Sequence, residues 1–166
     1  MKPPYTSKKV ITEFLRESNK IEGVYDEDSL KQARYAFEYL MKQKVLTIGV
    51  ILKTHKILML HQSLQPDEKG YFRRCEVRIG NRYGLNYVLV PAEIQMKFCF
   101  ETMRAEPPPD WKALHILYEK IHPFVDGNGR TGRMFMNWTR VRRCGLPILV
   151  IKADERQEYY KWFKDI

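Results

Sequence analysis

Apolar residues recur every three or four positions along most of this chain, which is the spacing of an α-helix that packs on one face. Proline, glycine and capping residues divide the pattern, and Thr47 and Asp110 are suited as N-caps. The pattern predicts helices over residues 7–21, 28–43, 47–62, 91–105, 110–124, 130–144 and 153–166.

One stretch departs from the helical period. Residues 76–80 and 85–90 are rich in strand-forming side chains, and they flank the turn residues Asn81 and Gly84. We expect a short β-hairpin here, which is too small to form a sheet domain. The predicted fold class is therefore mainly α, a compact helical domain that carries one short hairpin.

Composition limits the class of protein. The chain has 166 residues, of which 44% are hydrophobic and 30% charged, so one domain with a substantial core is expected. No apolar run approaches the roughly 20 residues that cross a bilayer, and no signal peptide is recognisable. Cys75, Cys99 and Cys144 are widely spaced, which argues against disulfides and a zinc site. We expect no membrane partner and a cytoplasmic location.

The net charge of +9 suggests an anionic partner, such as nucleic acid, nucleotide, acidic protein or a membrane surface. Part of this charge falls in the predicted helix over residues 130–144, which carries Arg130, Arg133, Arg140, Arg142 and Arg143. That helix also has an apolar stripe, so some of its arginines are expected to point outward. Nucleic-acid binding is therefore the main alternative to an enzyme.

The stretch HPFVDGNGRTGR, residues 122–133, joins two predicted helices and concentrates groups that bind phosphate. Gly127 and Gly129 let the backbone approach an anion, and the start of the next helix offers unpaired amides. Arg130 and Arg133 are three residues apart, so they share a face of that helix. Two guanidinium groups beside such amides would suit a polyphosphate.

Two further residues of this stretch add reactive chemistry. Asp126 offers a hard oxygen ligand for Mg²⁺, the ion that accompanies nucleotide phosphates. His122 can act as a general base, because the pKa of an imidazole lies near working pH. Together these groups suit phosphoryl or nucleotidyl transfer, which needs positioning, charge neutralisation and one base.

A carboxylate shares an apolar face near the N-terminus. Ile11, Leu15, Ser18 and Glu22 step by four, three and four residues, so they lie on one side of the first predicted helix. Gly23 is suited to end that helix in the left-handed region. Glu22 is therefore expected to face the interior and a cation there. The alternative is a solvated carboxylate paired with a nearby lysine.

The remaining histidines give weaker signals. His115 and His122 share a helical face but lie about 10 Å apart along the helix axis, too far to bind one metal ion. His55 and His61 do not share a face, and both are expected to be structural or exposed.

The 122–133 stretch resembles the signature of the Fic (filamentation-induced-by-cAMP) family, HxFx[D/E]GNGRxxR. The matching positions are His122, Phe124, Asp126, Gly127, Asn128, Gly129, Arg130 and Arg133. GYFRR and the hairpin after it are similar to the family's flap region. The resemblance covers about residue 45 to the C-terminus, so residues 45–166 would form the catalytic core and residues 1–44 the N-terminal helices.

The resemblance implies a protein adenylyltransferase, an enzyme that moves AMP from Mg·ATP to a Ser, Thr or Tyr hydroxyl of a target protein. His122 would deprotonate that hydroxyl, and Asp126 would hold Mg²⁺. The phosphates would lie against the loop anchored by Phe124, and their binding residues would be Gly127, Asn128, Gly129, Arg130 and Arg133. Doc-like kinases carry Lys where Gly129 stands here, so Gly129 favours AMP transfer.

The family also has an inhibitory helix with the motif [S/T]xxxE[G/N], which Ser18, Glu22 and Gly23 match. By this resemblance, Glu22 would pair with Arg133, hold ATP in an unproductive pose and keep the enzyme mostly inactive. Removal of AMP is an alternative in which Glu22 would position water. Self-modification and homodimerisation stay open.

The hairpin would act as a flap that pairs with an extended segment of the target. Ile79 and Leu85 are the predicted target-docking residues.

Overall fold

In the computed structural model, which describes residues 7–81, 84–87, 92–108 and 110–164, the chain is mainly helical, as predicted. The N-terminal helices are α1 (Lys8–Ile21), α2 (Glu27–Lys42) and α3 (Ile48–Leu58). The later helices are α4 (Ala92–Arg104), α5 (Trp111–Ile121) and α6 (Asn128–Arg142). None of the helices within these ranges is long and apolar enough to cross a membrane.

The helix boundaries follow local chemistry. Thr47 and Asp110 accept hydrogen bonds from the first turns of α3 and α5, which confirms both as N-caps. Gly23 adopts a φ of 72° just after α1, which confirms the predicted left-handed stop. Helix α5 ends earlier than predicted, at Ile121, because Pro123 disfavours helical backbone at His122 before it.

Two further predicted helices are shorter in the structure. Helix α3 ends at Leu58, and a turn follows where the prediction continued the helix to residue 62. The segment predicted as one helix over residues 153–166 is described as far as residue 164, where it contains a 3₁₀ turn (Ala153–Glu155), the short helix α7 (Arg156–Tyr160) and a second 3₁₀ turn (Lys161–Phe163).

Two strands of four residues lie between α3 and α4. Strand β1 (Arg78–Asn81) pairs antiparallel with β2 (Gly84–Tyr87), with Arg78 opposite Tyr87 and Asn81 opposite Gly84. Residues 82–83 and 88–90 of the predicted hairpin lie outside the described ranges.

Helices α1 to α6 all contribute to one main hydrophobic core. Phe14 of α1 and Phe37 of α2 pack with their rings 5.2 Å apart, in the same cluster as Ile51, Phe124 and Phe135. Residues on both sides of residue 44 therefore build the same core, and the division of the chain at residue 44 stays a prediction. Helices α5 and α6 pack against each other, so the turn between them lies at one end of the pair.

Candidate active site

His122 lies at the C-terminal end of α5, where its backbone adopts the left-handed conformation with a φ of 51°. Its Nδ1 lies 3.3 Å from the carbonyl oxygen of Glu119, so Nδ1–H donates to that oxygen. Nε2 then keeps a free lone pair. This is the tautomer that a general base needs.

Arg73 fixes the backbone around this histidine. Its Nε donates to the carbonyl of His122 at 2.7 Å and its Nη2 to the carbonyl of Ile121 at 3.2 Å, while its backbone amide donates to Pro123 at 2.9 Å. A cation at the C-terminus of α5 also complements the helix dipole. Burial lowers the pKa of His122 and Arg73 lowers it further, so the imidazole is neutral near pH 7.

The turn after His122 is held by its own side chains. The amide of Asn128 spans the turn, since Phe124 N–H donates to Asn128 Oδ1 and Asn128 Nδ2 donates to the Phe124 carbonyl, both at 2.8 Å. Gly127 is the N-cap of α6 with a φ of 83°, and none of the described side chains caps that helix. The first amides of α6 are thus directed at a site for an anion.

Arg130 is 2% exposed and has few partners. Its Nη2 lies 3.4 Å from the sulfur of Met59 and 3.8 Å from Asp126 Oδ2. Its Nε and Nη1 are buried and have no hydrogen-bond partner among the described residues. Buried guanidinium donors are costly to leave unpaired, so Arg130 is poised to bind an anionic ligand.

Arg133, on the same face of α6, is also 2% exposed but fully engaged. Its Nε donates to Ser18 Oγ and its Nη2 to the Ser18 carbonyl, both at 2.9 Å, and Nη1 lies 3.4 Å from the Tyr159 hydroxyl. Burial disfavours the charged form, but Tyr159, Glu22 and Glu119 outweigh burial and raise the pKa of Arg133.

Glu22 completes the shell of Arg133, as the sequence predicted. Its Oε1 accepts from Arg133 Nη2 at 2.6 Å, and the Glu22 side chain is 35% exposed. The same oxygen lies directly over Gly129. A Cβ atom at residue 129 would come within 2.1 Å of this oxygen, so a larger residue there would displace the carboxylate. Glu22 pairs with Arg133 and not with a nearby lysine, so the alternative of a lysine pair is wrong. The carboxylate from α1 occupies the space beside the turn where phosphate would bind.

Sequence reasoning missed Glu119 as part of this site. Its side chain is 13% exposed, and Oε1 lies 4.0 Å from His115 Nε2 and has no hydrogen-bond partner among the described residues. Burial raises the pKa of Glu119 to about 8, although Arg133 opposes the rise. A Cβ at residue 132 would come within 2.2 Å of Oε1, so Gly132 makes room for this carboxyl.

His55 is the second residue that sequence reasoning did not place at this site. Its side chain is fully buried against the turn, so of the two alternatives left open for His55, structural or exposed, the structure shows the structural one. The available signal was its position four residues from both Ile51 and Met59, on the apolar face of α3. His61, in contrast, is exposed and lies 3.0 Å from Ser29 Oγ.

The turn offers one carboxylate for Mg²⁺, so the ion would also need oxygen ligands from substrate phosphates and water. Asp126 is exposed, with Oδ1 accepting from Gly127 N–H at 2.7 Å, and no group of three or more metal-ligating side chains occurs within the described part of the chain. Mg²⁺ commonly binds through one or two carboxylates plus substrate phosphates and water. A single exposed aspartate beside a phosphate site matches that pattern.

The basic helix does not form a basic surface. Arg130, Arg133 and Arg140 are at most 8% exposed, and Arg140 packs over the Trp111 ring at 4.4 Å. Only Arg142 and part of Arg143 reach the surface at the end of α6. This burial removes most of the argument for nucleic-acid binding.

Ile79 and Leu85 lie at known register positions in the strand pair. Ile79 is opposite Asn86, and Leu85 is opposite Gly80. Their side chains lie outside the described part of the structure, so their docking role stays a prediction.

Comparison with known proteins finds relatives over most of the chain. The chain is 33% identical over 135 residues to "Protein adenylyltransferase Fic" of Drosophila erecta and to the protein of the same name in Drosophila melanogaster. These matches cover 79% of this chain but 27% of each relative. The chain thus spans about a quarter of the length of these curated relatives.

Two solved structures share the fold. A Fic domain containing signaling protein from Bacteroides thetaiotaomicron matches with a TM-score of 0.77 at 19% identity, over 93% of this chain and 70% of that one. A Fic family protein from Desulfovibrio desulfuricans matches with a TM-score of 0.78 at 20% identity, over 93% and 56%. The sequence pattern of the Fic/DOC family matches residues 45–139, more than half of the chain. On this evidence, and with all the signature residues gathered around one turn, the chain belongs to the Fic/DOC family.

Proposed function

We propose that this protein is an adenylyltransferase that moves AMP from ATP to a hydroxyl-bearing side chain of a target protein. The observation that carries the proposal is the pairing of a neutral His122, with Nε2 free, and a phosphate site made of uncapped amides and the unpaired donors of Arg130. The printed names of the relatives at 33% identity support the same activity.

The proposed step follows from these positions. Nε2 of His122 takes the proton of the target hydroxyl, and the oxygen then attacks the α-phosphorus of ATP. The bond between that phosphorus and the bridging oxygen to the β-phosphate breaks, and pyrophosphate leaves. The amides at the start of α6 and the guanidinium of Arg130 stabilise the negative charge that develops on the phosphates.

Asp126 is the residue that would hold Mg²⁺, which when bound would neutralise charge on the phosphates. Asn128 acts differently from the other signature residues, because its side chain is used to hold Phe124. Its backbone amide remains for phosphate.

Glu22 would keep this activity low. The γ-phosphate and the Glu22 carboxylate would compete for Arg133, so ATP would bind in an unproductive pose until α1 moves. The pair is well shielded on the side of Arg133 and 35% exposed on the side of Glu22, which lets a ligand displace the carboxylate.

The hairpin of β1 and β2 would act as the flap that aligns the target. A two-stranded ribbon leaves edges that an extended peptide can join. Self-modification, a homodimer and a cytoplasmic location stay predictions.

The proposal is tested with α-labelled and γ-labelled ATP, Mg²⁺ and a protein extract as the source of acceptors. We expect α-label on protein, more of it with Glu22→Gly and none with His122→Ala. Label that arrives only from the γ-position would show a kinase and overturn AMP transfer. Equal labelling by wild type and Glu22→Gly would remove the inhibitory role of Glu22.

Removal of AMP is a second candidate, because the carboxylate of Glu22 lies directly over Gly129 and could orient a water molecule. AMP-modified protein is the substrate for this test. Release of AMP that is lost in both Glu22→Gln and His122→Ala would favour it.

A further inference from the structure

We propose that His55 is a positioning residue that sets the orientation of the phosphate-binding turn. This inference rests on the proposed function only in taking the amides of that turn as the nucleotide site. Its evidence is the set of contacts that His55 makes with residues far from it in the sequence.

The hydrogen bonds of His55 fix its tautomer. The backbone N–H of Gly70 donates to Nδ1 at 2.9 Å, so Nδ1 carries no proton. Nε2 lies 2.8 Å from the carbonyl oxygen of Asp126, so Nε2–H donates to that carbonyl. Both nitrogens are satisfied, and neither is left to act on a substrate.

The ring of His55 also holds the start of the turn. It stacks on Phe124 with the ring centres 3.7 Å apart and the planes inclined by 4°. His55 therefore contacts the turn at two points: it stacks on the Phe124 ring and donates a hydrogen bond to the Asp126 carbonyl. The side chain of Asn128 holds the backbone of Phe124 from within the turn itself, through two hydrogen bonds.

The bond to Asp126 determines which way the turn faces. A peptide plane has its carbonyl and its N–H on opposite sides, so a carbonyl held towards α3 turns the next N–H away from α3. Gly127 follows with a φ of 83°, and a Cβ there would approach the Met59 sulfur to 2.8 Å. The turn is thus pressed against α3, and the first amides of α6 face the open side.

His55 also connects the turn to the segment before the hairpin. Gly70 belongs to the same short segment as Arg73, whose side chain and amide hold His122 and Pro123. This segment continues to β1 at Arg78. Hydrogen bonds therefore connect His122, the phosphate-binding turn and the segment that leads into β1. His55 supplies the contacts from α3.

The test compares His55→Phe, His55→Gln and the matched control His61→Gln. Phenylalanine keeps the ring but loses both hydrogen bonds, whereas the glutamine amide can both donate to Asp126 and accept from Gly70. We expect His55→Phe to weaken Mg·ATP binding about tenfold or more, as the loss of one or two ordered phosphate contacts would. His55→Gln should recover part of the loss, and His61→Gln should bind as wild type does.

Two readouts separate positioning from general stability. Hydrogen exchange should accelerate for the amides of residues 127–130 in His55→Phe, while those of α2 stay as protected as in wild type. In steady-state kinetics, the KM for ATP should rise more than kcat falls. Wild-type binding by His55→Phe, or equal loosening of the whole chain, would overturn the proposal.

One measurement does not depend on any variant folding. Long-range nitrogen–proton spectra of the wild-type imidazole should show a protonated Nε2 and an unprotonated Nδ1 for His55, and the opposite tautomer would overturn the proposal. If wild type transfers no AMP while His55→Phe still weakens nucleotide binding, the proposed function fails and the positioning role stands.

Discussion

Arg130 and Arg133 lie three residues apart on α6 and are equally buried, but their surroundings differ. Around Arg130, two buried nitrogens have no partner among the described residues. Around Arg133, α1 and the closing segment supply a hydroxyl, a carbonyl, a carboxylate and a phenol. One half of the phosphate site is therefore open, and the other half is filled by the protein itself.

The comparison shows that one site can contain all of its phosphate-binding groups while the protein itself blocks part of them. The open half depends on contacts within residues 45–139, the part that the family pattern covers. The filled half depends on Ser18 and Glu22, which lie outside that part. Changes to the open half should therefore weaken nucleotide binding, whereas changes to the filled half should raise the rate of AMP transfer.

The largest effect is expected from the open half. Arg130→Gln removes the unpaired charged donors, each of which would contribute about 1.5–3 kcal/mol to phosphate binding. We expect Mg·ATP to bind about 10- to 100-fold more weakly in titration calorimetry. Arg142→Gln, at an exposed position of the same helix, is the control and should bind as wild type does. Unchanged binding by Arg130→Gln would contradict the assignment of an open half.

The next effect has the opposite sign. Glu22→Gln keeps the size of the side chain but loses its charge, so Arg133 is released to the nucleotide. A coupling of about 1–3 kcal/mol would raise the initial rate of AMP transfer about 5- to 100-fold. Glu13→Gln on the exposed side of α1 should leave the rate unchanged. A rate for Glu22→Gln equal to that of wild type would show that the ion pair does not restrain the enzyme.

Ser18→Ala tests the same filled half of the site, and we expect a smaller increase in the rate of AMP transfer. It removes the Oγ that accepts from Arg133 Nε at 2.9 Å but leaves the Ser18 carbonyl in place. One hydrogen bond of about 1 kcal/mol corresponds to a rate increase of about two- to fivefold. Ser63→Ala in an exposed loop is the control. A decrease in rate would mean that Ser18 supports catalysis rather than restraint.

The last prediction concerns the stability of the fold near Arg133 and not the rate of AMP transfer. The pKa of Glu119 is raised from 4.5 to about 8, so between these values the folded protein holds a proton that the unfolded chain has lost. The free energy of unfolding therefore falls as pH rises through this window. Denaturant titrations should show a fall of at least about 1 kcal/mol relative to Glu119→Gln.

Glu38→Gln, at an exposed position of α2, is the control and should follow the pH dependence of wild type. Parallel profiles for wild type and Glu119→Gln would mean that Glu119 stays ionised in the fold.

Several helix ends and the direction of Glu22 could be predicted from the sequence. Glycines, capping residues and prolines act through local backbone preferences, so Thr47, Asp110 and Gly23 take the predicted roles. The inward direction of Glu22 followed from helical spacing alone. The same spacing places His55 on the apolar face of α3, but spacing does not predict which groups a buried histidine contacts.

The sequence by itself determined the helical fold, the glycine turn and the face of α1 that carries Glu22, because these depend on periodicity and on neighbours within a few residues. Apart from the pair of Glu22 and Arg133, which the family resemblance implied, only the tertiary structure decided which partners meet across the chain. Arg133 meets a carboxylate 111 residues away, and Asp126 meets an imidazole 71 residues away. Such pairs follow from how the helices pack, and packing sums many weak contacts that no short segment contains.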